Sequence, residues 1–241
     1  MKKLLKKQSL TLIALILVFS SNVNAQFWGE NGNGNVVKQD REVGSFTAIS
    51  SGSGIDVYLI QGDKESVRVE ADENLLDLII TRVKGDKLII KTEDPIRRAK
   101  KLDVYVTFVD LNAISISSGS DLKSNGILKF KELDISVSSG ADADLELEAD
   151  ELTCSVSSGA DANLAGKVNS FYGKASSGSD LRAADLKAKY CRAKASSGGD
   201  VSVYAIESIE VSASSGGDVN YYGDPTKVNV NSSSGGNVSR R

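Results

Sequence analysis

The side chains best placed for chemistry in this 241-residue chain recur about every nineteen residues: Asp121, Asp142, Asp161, Asp180, Asp200 and Asp218, then Asn237. Each stands two residues after the glycine of a Ser-Ser-Gly-small unit. Stacked at strand spacing, such carboxylates repel by about 1 kcal/mol per neighbouring pair in water. One reason to tolerate that repulsion is Ca²⁺ bridging, since hard oxygen ligands at a turn suit that ion. The favoured alternative is that each Asp accepts hydrogen bonds from backbone N–H groups and fixes the turn. Asp56 and Asn237 occupy the same slot and suit the turn role, and the glycine-rich nine-residue Ca²⁺ repeat is absent. No other cofactor is indicated.

Enzymatic signals are thin. The chain has no histidine, which removes the imidazole base of Ser–His or Cys–His nucleophilic sites and any His-ligated metal. A carboxylate pair for glycoside cleavage would be needed, and nothing singles out two acids from the many. Aromatic side chains are the second candidate: Tyr172, Tyr190, Tyr204, Tyr221 and Tyr222 occur once or twice per coil. Tyr204 and Tyr222 are expected to be exposed and able to stack on a sugar ring, whereas Tyr221 falls in a core position.

The repeat says what must position these groups. The Ser-Ser-Gly glycines fall at 119, 140, 159, 178, 198, 216 and 235, a period near nineteen. A fixed period of that size is the mark of a solenoid. Ahead of each glycine, apolar and polar residues alternate with period two, as in Leu133, Ile135 and Val137 or Ile209, Val211 and Ala213. That is strand alternation and not the 3.6-residue period of a helix. The fold class is therefore all-β: a single-stranded right-handed parallel β-helix, a β-solenoid with coils of about 19 residues. Ser-Ser-Gly is one tight corner, with the glycine at positive φ and the small residues beside it facing inward. A second corner is expected at 148–151, Gly166-Lys167, Ala184-Asp185, Glu207-Ser208 and Gly223 to Thr226. Cys154 and Cys191 lie two coils apart, too far for a disulfide, so both are expected as buried free thiols.

Residues 1–25 read as a signal peptide. Four lysines precede an apolar run over 10–19, and Val23 and Ala25 stand three and one residues ahead of a cleavage point before Gln26. Losing the four lysines of this leader moves the formal charge from −3 to −7. The acidic surface argues against nucleic acid or anionic lipid as partner, and no later run is long enough for membrane insertion. Arg97, Arg98, Lys100 and Lys101 form the one basic cluster and read as a solvated loop. Residues 26–42 are expected as a flexible N-terminal segment, and 43–241 as one β-helix domain. Its coils are irregular or capping over 43–110 and regular over 111–241. Gly85-Asp86 marks a hairpin. The final coil has an open parallel edge, which makes an end-to-end homo-oligomer possible.

The stretch "GSFTAISSGSGIDVYLIQGDKESVRVEADENLL" resembles the head-GIN domain family of exported bacterial adhesin-like proteins. The family's Gly-Ile-Asn stands here as Gly54-Ile55-Asp56. The resemblance covers about 43 to the carboxyl terminus. It implies a right-handed β-helix, a place in the cell envelope (periplasm or cell surface) and no known enzymatic activity, and it transfers no binding residue. The repeats run to Arg241, so no carboxy-terminal membrane barrel is expected. The function expected is a non-catalytic binding or envelope-structural module whose partner is a cell-surface glycan or protein. The competing expectation is a carbohydrate-active enzyme built on a β-helix.

Overall fold

A computed structural model describes residues 29–241. The signal peptide expected over 1–25 lies outside the described residues. The amino-terminal part carries β1 (Glu30–Asn31), β2 (Val36–Arg41), β3 (Ala48–Ser51), β4 (Asp56–Gln61), β5 (Ser66–Asp72), β6 (Ile79–Lys84), β7 (Lys87–Thr92), β8 (Ile96–Arg98) and β9 (Leu102–Phe108). The shaft continues as β10 (Ala113–Ile116), β11 (Asp121–Ser124), β12 (Leu128–Ser138), β13 (Asp142–Ser157), β14 (Asp161–Ser176), β15 (Asp180–Ser196), β16 (Asp200–Ser214), β17 (Asp218–Tyr222), β18 (Lys227–Ser232) and β19 (Asn237–Arg240).

Strands β13 to β16 run 16, 16, 17 and 15 residues, so each coil is one strand broken only at the Ser-Ser-Gly corner. They pair in parallel and in register: Asp142 with Asp161, Asp161 with Asp180, Asp180 with Asp200, Asp200 with Asp218. The molecule is a single-stranded right-handed β-solenoid of about seven turns. Inward residues of all coils join one core, from Phe46 and Ile49 at one end to Val211, Val219 and Tyr221 at the other. A single strand could not bury that face; stacking does.

The corner differs from the expected one. Its glycines have φ between +66° and +77°, but the preceding serines are also left-handed, from +50° at Ser215 to +59° at Ser177. Two successive positive φ values make a type I′ turn. Its closing bond runs from the Ala141 N–H to the Ser138 carbonyl at 3.3 Å and from the Gly217 N–H to the Ser214 carbonyl at 3.0 Å. The apex of such a turn points away from the coil, so the second serine is exposed and not inward-facing. Only the residue after the glycine turns in; Ser120, Ala141, Ala160 and Ser179 are all buried.

The second corner is a slip in the alternation. Ala149 is buried, Asp150 and Glu151 both face out, and Leu152 is buried again. Lys131-Glu132 and Lys189-Tyr190 repeat the pattern. Gly166 and Gly223 are not this corner: a Cβ at Gly166 would lie 1.9 Å from the Leu147 carbonyl oxygen, and one at Gly223 would lie 2.1 Å from that of Ala205. They permit close stacking of coils.

At the amino-terminal end β4 stacks on β11 and β9 on β4, both in parallel, so the Gly54 coil belongs to the shaft. Direction then reverses. β5 lies antiparallel on β9, β2 on β5, and β6 on β7 through the Gly85-Asp86 hairpin. Antiparallel strands thus form the capping layer. The flexible segment expected over 26–42 is corrected in its described part. β1 pairs with β8 and β2 with β5, because the buried Asp72 carboxylate accepts backbone N–H bonds from Gly34, Lys100 (2.7 Å) and Lys101 (3.2 Å), drawing three segments together. Cys154 and Cys191 are buried free thiols, and burial pushes both pKa values up to about 12. Among the described residues, no helix is long and apolar enough to cross a membrane.

Candidate functional site

Parallel pairing lines up the aspartates as one outward column, and the structure extends it. Asp121 is followed through Asp142, Asp161, Asp180, Asp200 and Asp218 to Asn237, and Asp56 continues it to Asp103 in β9. Asp103 was missed because no Ser-Ser-Gly precedes it. Like charge shows in the titration. Burial first, then neighbouring carboxylates, raise the pKa of Asp56, Asp142 and Asp200. Side-chain cations offset the repulsion elsewhere: Lys101 lies 3.2 Å from Asp103, Lys123 3.3 Å from Asp121, and Arg182 3.2 Å from Asp161 while also pairing with Asp180.

The turn-fixing role carries little of this column. The corner amides are spent on carbonyls: Asp142 N–H on Ser120 at 3.1 Å, Asp161 N–H on Ala141 at 3.1 Å, Gly140 N–H on Ser158 at 3.2 Å. Only weak backbone contributions reach the carboxylates, from the Asp121 amide to Asp56 and the Asp218 amide to Asp200. Single-file carboxylates also converge on no point. Among the described residues no group of three His, Cys, Asp or Glu side chains is placed to hold a metal ion.

Tyr204 and Tyr222 sit one above the other in neighbouring coils, half-buried beside Gly223. They do not line the groove of about 560 Å³ that runs beside the second corner and crosses five coils. Its floor is the buried edge of Leu152, Phe171, Cys191 and Ile209. Its walls carry Thr153, Tyr172, Tyr190, Arg192, Glu210 and Asn229. Tyr190 is 45% exposed, with Lys189 Nζ 5.2 Å from its ring centroid; Lys194 Nζ lies 5.9 Å from that of Tyr172. Arg192 Nη2 and Glu210 Oε2 pair at 2.8 Å. Tyr172 was legible from the register, since the sixth residue before the glycine faces out in every regular coil. Tyr190 was not, because its exposure comes from the slip at the second corner.

On the other side of that corner a second groove of about 610 Å³ is lined by Lys129, Lys167, Lys187 and Lys189 with Glu148 and Glu207 over Phe130 and Val168. Two of the lysines are paired, Lys129 with Glu148 at 3.8 Å and Lys189 with Glu207 at 3.5 Å. The acids of the first groove are Glu151 and Glu210, and Arg192 occupies Glu210.

The same stacked architecture is found in solved structures. A "putative adhesin" from Bacteroides fragilis superposes with a TM-score of 0.82 at 22% identity, covering 88% of this chain and 100% of that one. A "putative lipid binding protein" from Parabacteroides distasonis gives 0.68 at 20% identity over 88% and 100% of the two chains. A "putative adhesin" from Parabacteroides merdae gives 0.68 at 19% over 88% and 99%. At these identities the likeness is one of fold. No curated protein matches the chain. The family model described as "Putative auto-transporter adhesin, head GIN domain" matches residues 45–225, from the first capping coil to the last full one. Corner, capping coils and shaft thus fall within one family, and the chain belongs to the head GIN domain family.

Proposed function

We propose that the protein is an exported, non-catalytic, adhesin-like binding module that takes a neutral oligosaccharide in the groove of Tyr172 and Tyr190. One observation carries this reading: two outward aromatic rings share a groove whose other walls are hydroxyl and amide side chains and the Arg192–Glu210 pair, with the opposite charges of Glu151 and Lys227 at its two ends. Apolar ring faces suit the C–H face of a sugar, and the flanking polar groups suit its hydroxyls. A volume of about 560 Å³ lies within the usual range for small-ligand sites. Family membership and the adhesin-like fold relatives support a binding role. Glycoside cleavage needs a pair of carboxyl groups, and the engagement of Glu210 by Arg192 weighs against such a pair with Glu151 in the same groove. The aspartate column is a surface feature balanced by its own cations, not the ligand site.

A glycan array probed with residues 26–241, with and without Ca²⁺, tests the reading. Binding to a neutral glycan is expected in both conditions, and Tyr190→Ala should weaken it about tenfold, as loss of an anchoring aromatic does. A blank array, or binding indifferent to Tyr190→Ala and Tyr172→Ala, refutes the groove as the site. Turnover of any bound glycan would instead establish the enzyme reading.

A further inference from the structure

The second groove, about 610 Å³ on the far side of the second corner from the tyrosines, carries more positive charge than its own side chains offset. It crosses five coils, from Lys129 and Phe130 on β12 to Ile206 and Glu207 on β16. At strand spacing that is a length of roughly 19 Å. Its three acids are engaged. Glu148 pairs with Lys129 at 3.8 Å, Glu207 pairs with Lys189 at 3.5 Å, and Asp150 Oδ1 accepts from Asn169 Nδ2 at 2.8 Å. Both ion pairs lie toward the ends of the groove. Lys167 and Lys187 hold its middle, on β14 and β15, and are register partners, so their Cα atoms are about 4.8 Å apart. Glu148 stands in register with Lys167 yet turns to Lys129. Both central lysines are exposed, and among the described residues neither has an acidic side chain in pairing distance. Two like charges side by side with no acid between them run against the composition of a chain with 32 acids and 29 bases. The floor beneath them is apolar. Phe130, Ala149 and Val168 present buried edges, and Ile206 at one end is 49% exposed.

We propose that this groove is a second binding site, separate from that of the tyrosines, and that it takes an acidic oligosaccharide with a uronate carboxylate set between Lys167 and Lys187. The occupant is anionic because the two central ammonium groups are the charges of the groove left without a partner. It is a sugar chain because that charge lies in the middle. A fatty carboxylate carries its charge at one end and needs an unbroken apolar run beyond it. A free phosphate would leave the apolar floor uncovered. An oligosaccharide can place one acid centrally and lay the C–H faces of its neighbouring sugars over Phe130 and Ala149 on one side and Ile206 on the other. One carboxylate can accept from both lysines, and such charge-assisted bonds are stronger than neutral ones.

Isothermal titration of residues 26–241 with tetragalacturonate and with a hyaluronan tetrasaccharide, each against its carboxyl-reduced form, tests this. Binding of a uronide is expected, with the reduced form about tenfold weaker or worse and affinity falling as salt rises. Lys167→Gln and Lys187→Gln should each weaken uronide binding about tenfold, the loss expected of one charge-assisted bond. Both side chains are exposed, so circular dichroism and thermal unfolding should stay as in the wild type. Tyr190→Ala, which tests the other groove, and Arg97→Gln, in the basic loop near the capped end, should leave uronide binding unchanged. The lysine variants should in turn leave neutral-glycan binding unchanged, so the two sites fail independently. No binding of either uronide, equal binding of the reduced forms, or binding indifferent to both lysine variants overturns the proposal. So does tighter binding of dodecanoate, which would make the groove a fatty-acid site, or equal binding of inorganic phosphate, which would reduce it to a simple anion site.

Discussion

Gly216 and Gly217 are neighbours in one corner, and their substitution by alanine should have very different costs. Gly216 sits at φ +73°, and a Cβ there would meet nothing within 4 Å. Its alanine variant carries only the left-handed penalty, about 1–2 kcal/mol. Asparagine tolerates that region, so Gly216→Asn should cost less than Gly216→Ala. Gly217 carries no left-handed φ, but a Cβ on it would lie 2.6 Å from Ser196 N and 2.7 Å from Ala195 C. Those atoms are backbone of the coil below and cannot rotate away. Overpacking against fixed neighbours costs about 1–3 kcal/mol, and here the whole rung must lift, so the upper end applies. Each kcal/mol shifts the Tm of a chain this size by about 2–4 °C. Thermal unfolding should therefore rank wild type, Gly216→Asn, Gly216→Ala and Gly217→Ala in falling order, with about 6 °C or more lost in the last. If Gly217→Ala unfolds no lower than Gly216→Ala, the packing argument is wrong. If Gly216→Asn is no better than Gly216→Ala, the type I′ assignment of the corner fails.

Asp72 should control acid stability. Burial raises its pKa, but the N–H groups of Lys101, Gly34 and Lys100 outweigh burial and hold it below the usual carboxylate value. Its folded pKa is thus depressed, so its contribution is complete above the unfolded value near 3.9 and is lost as pH falls through the folded pKa. Acid titration of unfolding should show that loss below about pH 4 in the wild type and not in Asp72→Ala, which should itself cost about 3 kcal/mol at pH 7 by orphaning buried donors. A wild-type acid limb identical to that of Asp72→Ala would rule the carboxylate out. Asp142 has the opposite sign, being raised by burial, Asp121 and Asp161; it is exposed, so Asp142→Asn should gain only a few tenths of a kcal/mol at pH 7 and nothing below pH 3. A loss of stability at pH 7 would give that carboxylate a binding or capping role. With thiol pKa values up to about 12, Cys154 and Cys191 should resist alkylation at pH 8 until urea is added; rapid labelling of the folded protein would contradict their burial.

The shaft was legible because every inward column repeats. Val137, Val156, Ala175, Ala195 and Ala213 form one column in register, and reading them at period nineteen yields strand, stacking and the distance between the cysteines. The orientation of the second serine was not legible, since one positive φ at glycine satisfies the sequence as well as two do. The second corner was placed at 148–151, but its form was not legible, since it is a slip of phase at Asp150-Glu151 with no glycine to announce it. The cap could be placed but not drawn. The antiparallel turn of β5 onto β9 depends on a contact between residues such as Arg68 and Tyr105, nearly forty positions apart and outside the repeat. Tyr190 was undervalued for the same reason as the corner it stands on.

Division between inward and outward columns also bears on what the groove can recognise. The inner columns stay apolar, because each residue packs on its equivalent above and below, although its size changes, as in Leu152, Phe171, Cys191 and Ile209. The outward column that lines the groove changes at every rung: Asp134, Thr153, Tyr172, Arg192, Glu210, Asn229, all in register. A face built that way offers no lattice to a periodic polymer, since shifting a ligand by one coil meets a different side chain each time. The aspartate column is the periodic one, yet cations offset its charge at only some rungs, and it lines only a hollow of about 210 Å³ at Asp121, Asp142 and Asp161. Recognition in the proposed groove would therefore be local, centred where two tyrosines and one ion pair meet at the second corner, with the remaining coils holding those few side chains at fixed spacing.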